Sequence, residues 1–507
     1  MKKNLIRIFS ILVFLCLLAG SLWKISDIVE RKDSQYKYRS FYEQEQDFDV
    51  LFMGTSHVIN AVFPMEMWDK YGIVSYNFGG HGNQMATSYW VMMNALQYTN
   101  PKLVVIDVLE IGRDYKVAEH EDQSRLSIDS MPFSKVKVEA VKDLFGDKSL
   151  IGTEREDLYN KRYEFLFDFA KYHSRWNELT QQDFDPSYSS PEKGAETRVR
   201  LEEPMDYYIV PQEVKLPADT VGALYLRKMI EECQSRGIEV LLTHVPYPAE
   251  DWHQMGGNTA YDIAEEYGVD YINFVAMDTV ANYQTDCYDS HGHLNASGGK
   301  HVSDYLGKYI RENYDIPDRR ADEQYAGWYQ DYQKYYEMKR DMLHEEQNLY
   351  NALMLLQDDD FDAMVYVKDG AAVAGDEKLY ALLENMLGMQ WEVPEEEYGD
   401  IFAVVSHNTN TAEIAYGRRH SNQPLLEIDT NFGKVVYKNC VDGERYVQVG
   451  GEEHNILEEF YGRYYEDEIP VEPDVSIWVY DSKTGECLFR LYWIGAEGSG
   501  LEEKLHD

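Results

Sequence analysis

Cysteine is scarce and unpatterned: five in 507 residues. Cys16 falls in an N-terminal apolar run, and Cys233, Cys287, Cys440 and Cys487 stand far apart without CxxC spacing. Neither a disulfide framework nor a zinc module is indicated. Basic residues are outnumbered, 48 Lys and Arg against 90 Asp and Glu, for a formal net charge of -42. Nucleic acid is excluded as an expected partner, because the phosphate backbone attracts Lys and Arg and repels an acidic surface. The charge bears on solubility and association, not on fold. Beyond the N-terminus no apolar run is long enough to cross a bilayer, and no internal repeat is visible. What is present is 44% apolar and 14% aromatic residues, enough for packed cores, in a length that suits about two to four domains.

The N-terminus carries Lys2, Lys3 and Arg7 ahead of an uncharged stretch from Ile8 to Trp23. Leu5 and Ile6 add apolar length, so the run lies between a signal-peptide core and a full span of ~20 residues. Ala19-Gly20-Ser21 offers a small-residue cleavage site, but Leu22 and Trp23 continue past it and no lipoprotein cysteine follows. Residues 1–24 are read as an uncleaved anchor. The positive-inside rule then puts the basic cluster in the cytoplasm and the rest of the chain outside, a single-pass protein of the cell membrane.

Residues 25–48 are polar with spaced aromatics and read as a juxtamembrane stalk. From Asp49 short apolar runs alternate with helical patterns: DVLFMGTSH, GIVSYNFGG and PKLVVIDVLEIG as strands, MATSYWVMMNALQY as a helix, then LYLRKMIEECQSRG, IEVLLTHVPYP, AYDIAEEYG and VDYINF as helix, strand, helix, strand. This order predicts an α/β fold with a doubly wound parallel sheet over 49–315, its active edge at the carboxyl ends of the strands. The stretch from about 115 to 221 is too long for a plain loop and reads as an insertion covering that edge. Charged, Tyr-rich 316–357, with Met342, Leu349, Leu353 and Leu356 at helical spacing, reads as a linker helix. Residues 358–507 hold mostly β-like runs, with a hairpin turn at Asp481-Ser482-Lys483-Thr484-Gly485-Glu486, and read as a C-terminal α+β domain without a chemical signal.

Three blocks carry chemistry. In Gly54-Thr55-Ser56-His57, a serine follows a strand and a glycine that allows a sharp bend; it either presents a nucleophilic hydroxyl or caps the next helix. In Asn77-Phe78-Gly79-Gly80-His81-Gly82-Asn83, the glycines either let backbone N–H groups approach an oxyanion or form an ordinary turn. In Asp289-Ser290-His291-Gly292-His293-Leu294-Asn295, a carboxylate and an imidazole can activate a serine, which is a poor nucleophile alone. Their histidines otherwise serve as solvated loop residues or metal ligands. A metal site built from His57, His81, His291 and His293 is the weaker reading, since no spacing fixes its geometry.

Together and in this order the blocks resemble the SGNH (GDSL-type) hydrolase family. The resemblance covers about 49–315 and implies a flavodoxin-like sheet, with Ser56 as nucleophile, Asp289 as orienting carboxylate and His293 as base. Ser56 and Gly82 would supply the oxyanion hole. Two departures stand out: Asp289 and His293 are four apart where DxxH is usual, making His291 a competitor, and the strand PKLVVIDVLEIG offers only Asp107 and Glu110 where the family has an oxyanion-hole Asn. The anchor and the GTSH block resemble the family's membrane-anchored extracytoplasmic branch, the D-alanine transfer protein and alginate-type O-acetylation proteins. That implies an acyl esterase or acyltransferase acting on a cell-surface glycan or its acyl ester, beside a multispanning membrane O-acyltransferase and without a cofactor. The alternative is a non-catalytic envelope scaffold or glycan-binding partner.

His57, His81 and Asn83 are further candidates for substrate contact, as are His173, Arg175 and Trp176 in the insertion, since an aromatic ring offers a flat face to a sugar and Arg binds anions. For the last three the better-supported reading is a helix with Trp176 in its core and Arg175 in solvent. His244-Val245-Pro246-Tyr247-Pro248 ends a strand on the active edge. Asp358-Asp359-Asp360 with Asp362 lacks the glycine and terminal glutamate of an EF-hand loop and reads as a solvated turn.

Overall fold

Val50–Gly54, Ser75–Gly79 and Leu103–Asp107 are buried along their whole length, as strands covered on both faces are. A computed structural model describes residues 2–30, 32–148, 156–184, 189–277, 279–368, 376–390, 399–417, 423–440, 445–456, 465–466, 469–470, 474–494 and 503–505; residues 149–155 and 185–188 of the expected insertion lie outside them. In chain order the elements are α1 (Lys2–Val29), α2 (Lys32–Tyr42), β1 (Val50–Gly54), α3 (Ser56–Ala61), α4 (Pro64–Tyr71), β2 (Ser75–Gly79), α5 (Met85–Ala95), β3 (Leu103–Asp107), α6 (Glu121–Ile128), α7 (Lys135–Phe145), α8 (Glu156–Lys161), α9 (Phe169–Tyr172), α10 (Val221–Ser235), β4 (Glu239–His244), α11 (Asp251–Tyr267), β5 (Asp270–Asn273), α12 (Ala296–Asn313), α13 (Gly327–Glu345) and α14 (Leu349–Leu355). There follow β6 (Phe361–Val367), α15 (Glu377–Leu387), β7 (Asp400–Ser406), β8 (Thr411–Gly417), β9 (Leu426–Thr430), β10 (Gly433–Asn439), β11 (Arg445–Val449), β12 (Glu452–Asn455), β13 (Tyr465–Glu466), β14 (Ile469–Pro470), β15 (Val475–Asp481), β16 (Cys487–Ile494) and β17 (Glu503–Leu505).

The chain divides into two compact units, Met1–Thr197 with Asp206–Val280 and His301–Tyr332, and Arg198–Met205 with Ala281–Lys300 and Gln333–Asp507. This boundary differs from the change of composition at Asp315: the segment 281–300 groups with the C-terminal unit.

In the first unit five parallel strands run in the order β2-β1-β3-β4-β5, the flavodoxin-like arrangement. Residues 25–48 are no stalk. Tyr38 of α2 stacks on Phe78 at 5.5 Å, and Phe41 lies edge-on to Phe78 at 4.7 Å, so this segment's aromatic residues close one side of the core. α11 begins well before the expected AYDIAEEYG, because Gly256-Gly257 is helical: a Cβ on Gly256 would meet Ile111 at 2.9 Å and one on Gly257 the His244 ring at 2.5 Å. The glycines that mimic a loop in sequence permit close packing instead. In the insertion, α6 and α7 pack on α5. Arg125 of α6 is fully buried, paired with Glu121 at 2.7 Å, Asp129 at 3.3 Å and Glu164 at 3.4 Å, and lies over the Phe165 ring.

In the second unit an antiparallel sheet of order β17-β16-β15-β6-β7-β8 is joined by a four-stranded sheet β12-β11-β10-β9 and the small ribbon β13-β14. Alternation along β6 sends Ala363, Val365 and Val367 to one face and Met364 and Tyr366 to the other. Leu349, Leu353 and Leu356 join the first cluster, so the expected linker contributes α14 as a core helix. β15 and β16 pair across the expected 481–486 turn.

α1 is one helix long and apolar enough to cross a membrane, with a mean hydropathy of 2.4 over its most apolar part.

Candidate functional site

β1 delivers the chain to Gly54, where a Cβ would meet Val58 Cγ2 at 2.4 Å and Asp107 Cβ at 2.9 Å. Only glycine allows the strand to turn this tightly into α3. Thr55 is the cap, its Oγ1 accepting from the His57 N–H at 3.2 Å; Ser56 is thereby left as the first helical residue, half-buried at the sheet's carboxyl edge.

The glycine loop is fastened to that turn. The Asn77 amide donates to the Val58 and Val62 carbonyls at 2.8 and 2.7 Å and accepts from the Gly79 N–H at 2.8 Å, and the Gly80 N–H donates to the Gly54 carbonyl at 3.1 Å. Gly82 takes a left-handed φ of 65°, with Gln123 about 3.0 Å from where its Cβ would stand. His81 Nε2 lies 3.3 Å from Glu196 Oε1. Lys37 Nζ is 3.7 Å from the same oxygen and donates to the Gly79 carbonyl at 2.9 Å. Asn83 is only 2% exposed and accepts from Ser127 Oγ at 2.8 Å. Lys37, Gln123 and Glu196 went unnoticed in the sequence because they fall in polar segments without a motif. These contacts tie the glycine loop to α2 and to the insertion.

In the second unit, residues 287–294 form a small hairpin closed by a Cys287–Leu294 bridge and by Tyr288 N–H donating to the His293 carbonyl at 2.7 Å. Gly292 turns it with φ 79°, which absorbs the extra residue between the aspartate and the histidine. Asp289 Oδ1 accepts the His291 and His293 N–H groups at 3.0 and 3.2 Å, and Oδ2 lies 2.8 Å from His293 Nδ1. A carboxylate there holds the proton on Nδ1 and leaves Nε2 as the basic nitrogen. The His291 side chain is exposed. Of the two histidines, the hairpin gives His293 the carboxylate.

Ionisable groups also crowd the carboxyl edge of the first unit's sheet. Asp107 ends β3 and accepts the Leu109 and Val245 N–H groups at 3.1 and 2.9 Å. Burial pushes its carboxyl up to about 7, and burial likewise raises Glu110 against the pull of Arg113. Asp107 therefore braces β3 to the end of β4. Burial drives His244 down to about 3, and burial together with His244 and Arg113 drives His253 down to about 2. Tyr247 sits among His57, His244 and His253 at ring separations of 4.5, 5.9 and 5.7 Å.

Arg175 is not a solvated side chain. It donates to the Val29 carbonyl at 2.9 Å, to the Glu30 carbonyl, and to Asp183 at 3.1 Å. Trp176 is 72% exposed rather than in a core, and His173 is exposed beside the Ala170 carbonyl. The carboxylates of the acidic turn are paired rather than merely solvated. Lys339 pairs with Asp358 and Asp360 at 2.7 and 2.8 Å, Lys300 with Asp359 at 2.5 Å, and Asp362 accepts from Ser406 Oγ and the His407 N–H. Among the described residues no group of three or more His, Cys, Asp or Glu could hold a metal ion.

No family model matches the chain, and no curated protein matches it significantly. Solved structures are similar in part, two of them as follows. A protein provisionally assigned as lipolytic, of the G-D-S-L family, from Desulfitobacterium hafniense DCB-2 is 12% identical, with a TM-score of 0.26 over 51% of this chain and 97% of its own. A provisionally assigned acylhydrolase from Bacteroides fragilis NCTC 9343 is 12% identical, with a TM-score of 0.27 over 55% and 95%. Scores of this size carry no argument about the site; the strand order β2-β1-β3-β4-β5 itself makes the first unit a flavodoxin-like α/β domain.

Proposed function

We propose that the protein is an extracytoplasmic, serine-dependent acyl esterase or O-acyltransferase that modifies a cell-surface polysaccharide through an acyl-enzyme on Ser56. The observation that carries this reading is the Asp289–His293 pair, a carboxylate 2.8 Å from Nδ1 of an imidazole. The Ser56 turn and the Gly82 loop support it, as does the resemblance of the three blocks to the SGNH family. In the proposed reaction His293 takes the Ser56 proton as Oγ bonds to the acyl carbonyl carbon. The Ser56 and Gly82 N–H groups meet the oxyanion. The ester C–O bond then breaks, and the leaving alcohol takes the proton from His293. Water or a sugar hydroxyl attacks the acyl-enzyme next, with His293 again as base, and restores Ser56. Hydrolysis and transfer share every step up to this attack.

With a charge of -42, a neutral glycan is a better acceptor than a polyanionic wall polymer. The proposed partners are that glycan and a multispanning membrane O-acyltransferase. A fluorophosphonate probe tests the chemistry: labelling of the full-length protein that disappears in Ser56→Ala is expected. An unlabelled wild type, or a Ser56→Ala variant labelled equally, overturns the reading and leaves the non-catalytic scaffold.

A further inference from the structure

We infer that the insertion is a membrane-docking surface, seated in the lipid headgroup layer beside α1 by exposed aromatic side chains. The inference rests on α1 spanning the bilayer and is independent of the chemistry proposed for Ser56. The uncharged run of α1 ends at Trp23, and Lys24 pairs with Asp27 in solvent-exposed positions, so the hydrocarbon boundary falls near residues 23–24. Val29 then lies about 8 Å beyond Lys24 at 1.5 Å per residue. The headgroup layer on each face is about 5–7 Å thick, so the last turn of α1 emerges at its outer edge.

The insertion grips α1 at this level. Ser26 and Val29 are buried, and α1 touches α9 and the two short 3-10 helices His173–Asn177 and Gln181–Phe184. Arg175 caps the helix through the Val29 and Glu30 carbonyls, placing a cation at the negative end of the helix dipole. Its neighbour Trp176 is 72% exposed and Phe184, at the end of the next turn, is 60% exposed. Large aromatic side chains left in water beside a transmembrane helix match the belt that Trp and Tyr form at membrane interfaces. The face is aromatic, not basic, so its binding is indifferent to lipid charge. It also tolerates the chain's large negative charge, which opposes electrostatic adhesion to anionic lipid.

The test uses the full chain, its N-terminus verified by mass, in nanodiscs of phosphatidylcholine or phosphatidylglycerol. In a Cys16→Ser/Cys487→Ser background, Trp176→Cys and, separately, Phe184→Cys carry an environment-sensitive fluorophore; Tyr261→Cys on α11 is the reference. Circular dichroism confirms folding of each variant, and two label sites guard against one variant misfolding. Both insertion labels should be blue-shifted and quenched at least threefold more than the reference by a headgroup-attached nitroxide, alike in both lipids. Labels quenched no more than the reference overturn the proposal, including the case where they become shielded only on addition of another membrane protein. Quenching confined to phosphatidylglycerol overturns the aromatic basis.

Discussion

The carboxyl edge of the parallel sheet and the Asp358–Asp362 turn of the C-terminal unit both concentrate ionisable residues, and they treat them oppositely. In the turn each carboxylate has a partner: Lys339 for Asp358 and Asp360, Lys300 for Asp359, Ser406 and His407 for Asp362. At the sheet edge Asp107, His244 and His253 are held toward their neutral forms chiefly by burial. Paired charges serve architecture. Titratable groups stripped of water at the carboxyl ends of strands are the surroundings in which an α/β fold does chemistry.

The contrast can be broken at either end. The largest effect is expected from His293→Gln, which should slow hydrolysis of an activated acyl ester by about 10²–10⁴ and leave the urea midpoint unchanged. Lys339→Ala should do the reverse. Removing the ammonium that Asp358 and Asp360 share, with Lys483 still 3.3 Å from Asp360, should cost about 1–3 kcal/mol, read as a lower urea midpoint of the C-terminal unit with probe labelling of Ser56 retained below the transition. Gly54→Ala should cost about 1–3 kcal/mol by overpacking, seen in thermal melts, and should reduce labelling as well, because Ser56 is two residues on.

The pH dependence of stability sharpens the comparison further. Two histidines with lowered folded values bind protons only when unfolded as pH falls below about 6.5, so their contribution is lost on acidification toward pH 3. Asp107, raised to about 7, binds its proton in the folded state between about pH 4 and 7 and so works the other way. His244→Asn should therefore reduce the slope of stability against pH between pH 4 and 6, relative to wild type, by about one proton, or about 1.4 kcal/mol per pH unit. Denaturant titrations at several pH values check this. The smallest effect is reserved for His291→Gln, expected to leave the ester hydrolysis rate within about twofold, since Asp289 engages His291 only through its backbone N–H.

How far the chain could be read depended on whether a signal was local. The five strands and α10 announced themselves because apolar runs bounded by glycine, proline or polar turns are set by neighbours in sequence. The Ser56 turn and the Asp289–His293 pair were legible for the same reason. What stayed hidden was set by distant partners. Tyr38 and Phe41 resemble stalk residues until Phe78 is placed beside them, and Leu349 and Leu353 resemble a linker until β6 and α15 cover them. Asp358–Asp360 resemble a solvated turn until Lys339 arrives from α13. Arg175 meets the end of α1 across 145 residues, a separation at which no spacing rule operates.

The central claim is that Ser56 accepts an acyl group. The most direct measurement is acid-quenched peptide mass spectrometry of the full-length protein after brief exposure to an activated acyl ester. An acyl increment on Ser56 that is lost in His293→Gln is the predicted result. An unmodified chain, or an acyl group carried by any other residue with Ser56 untouched, would contradict it.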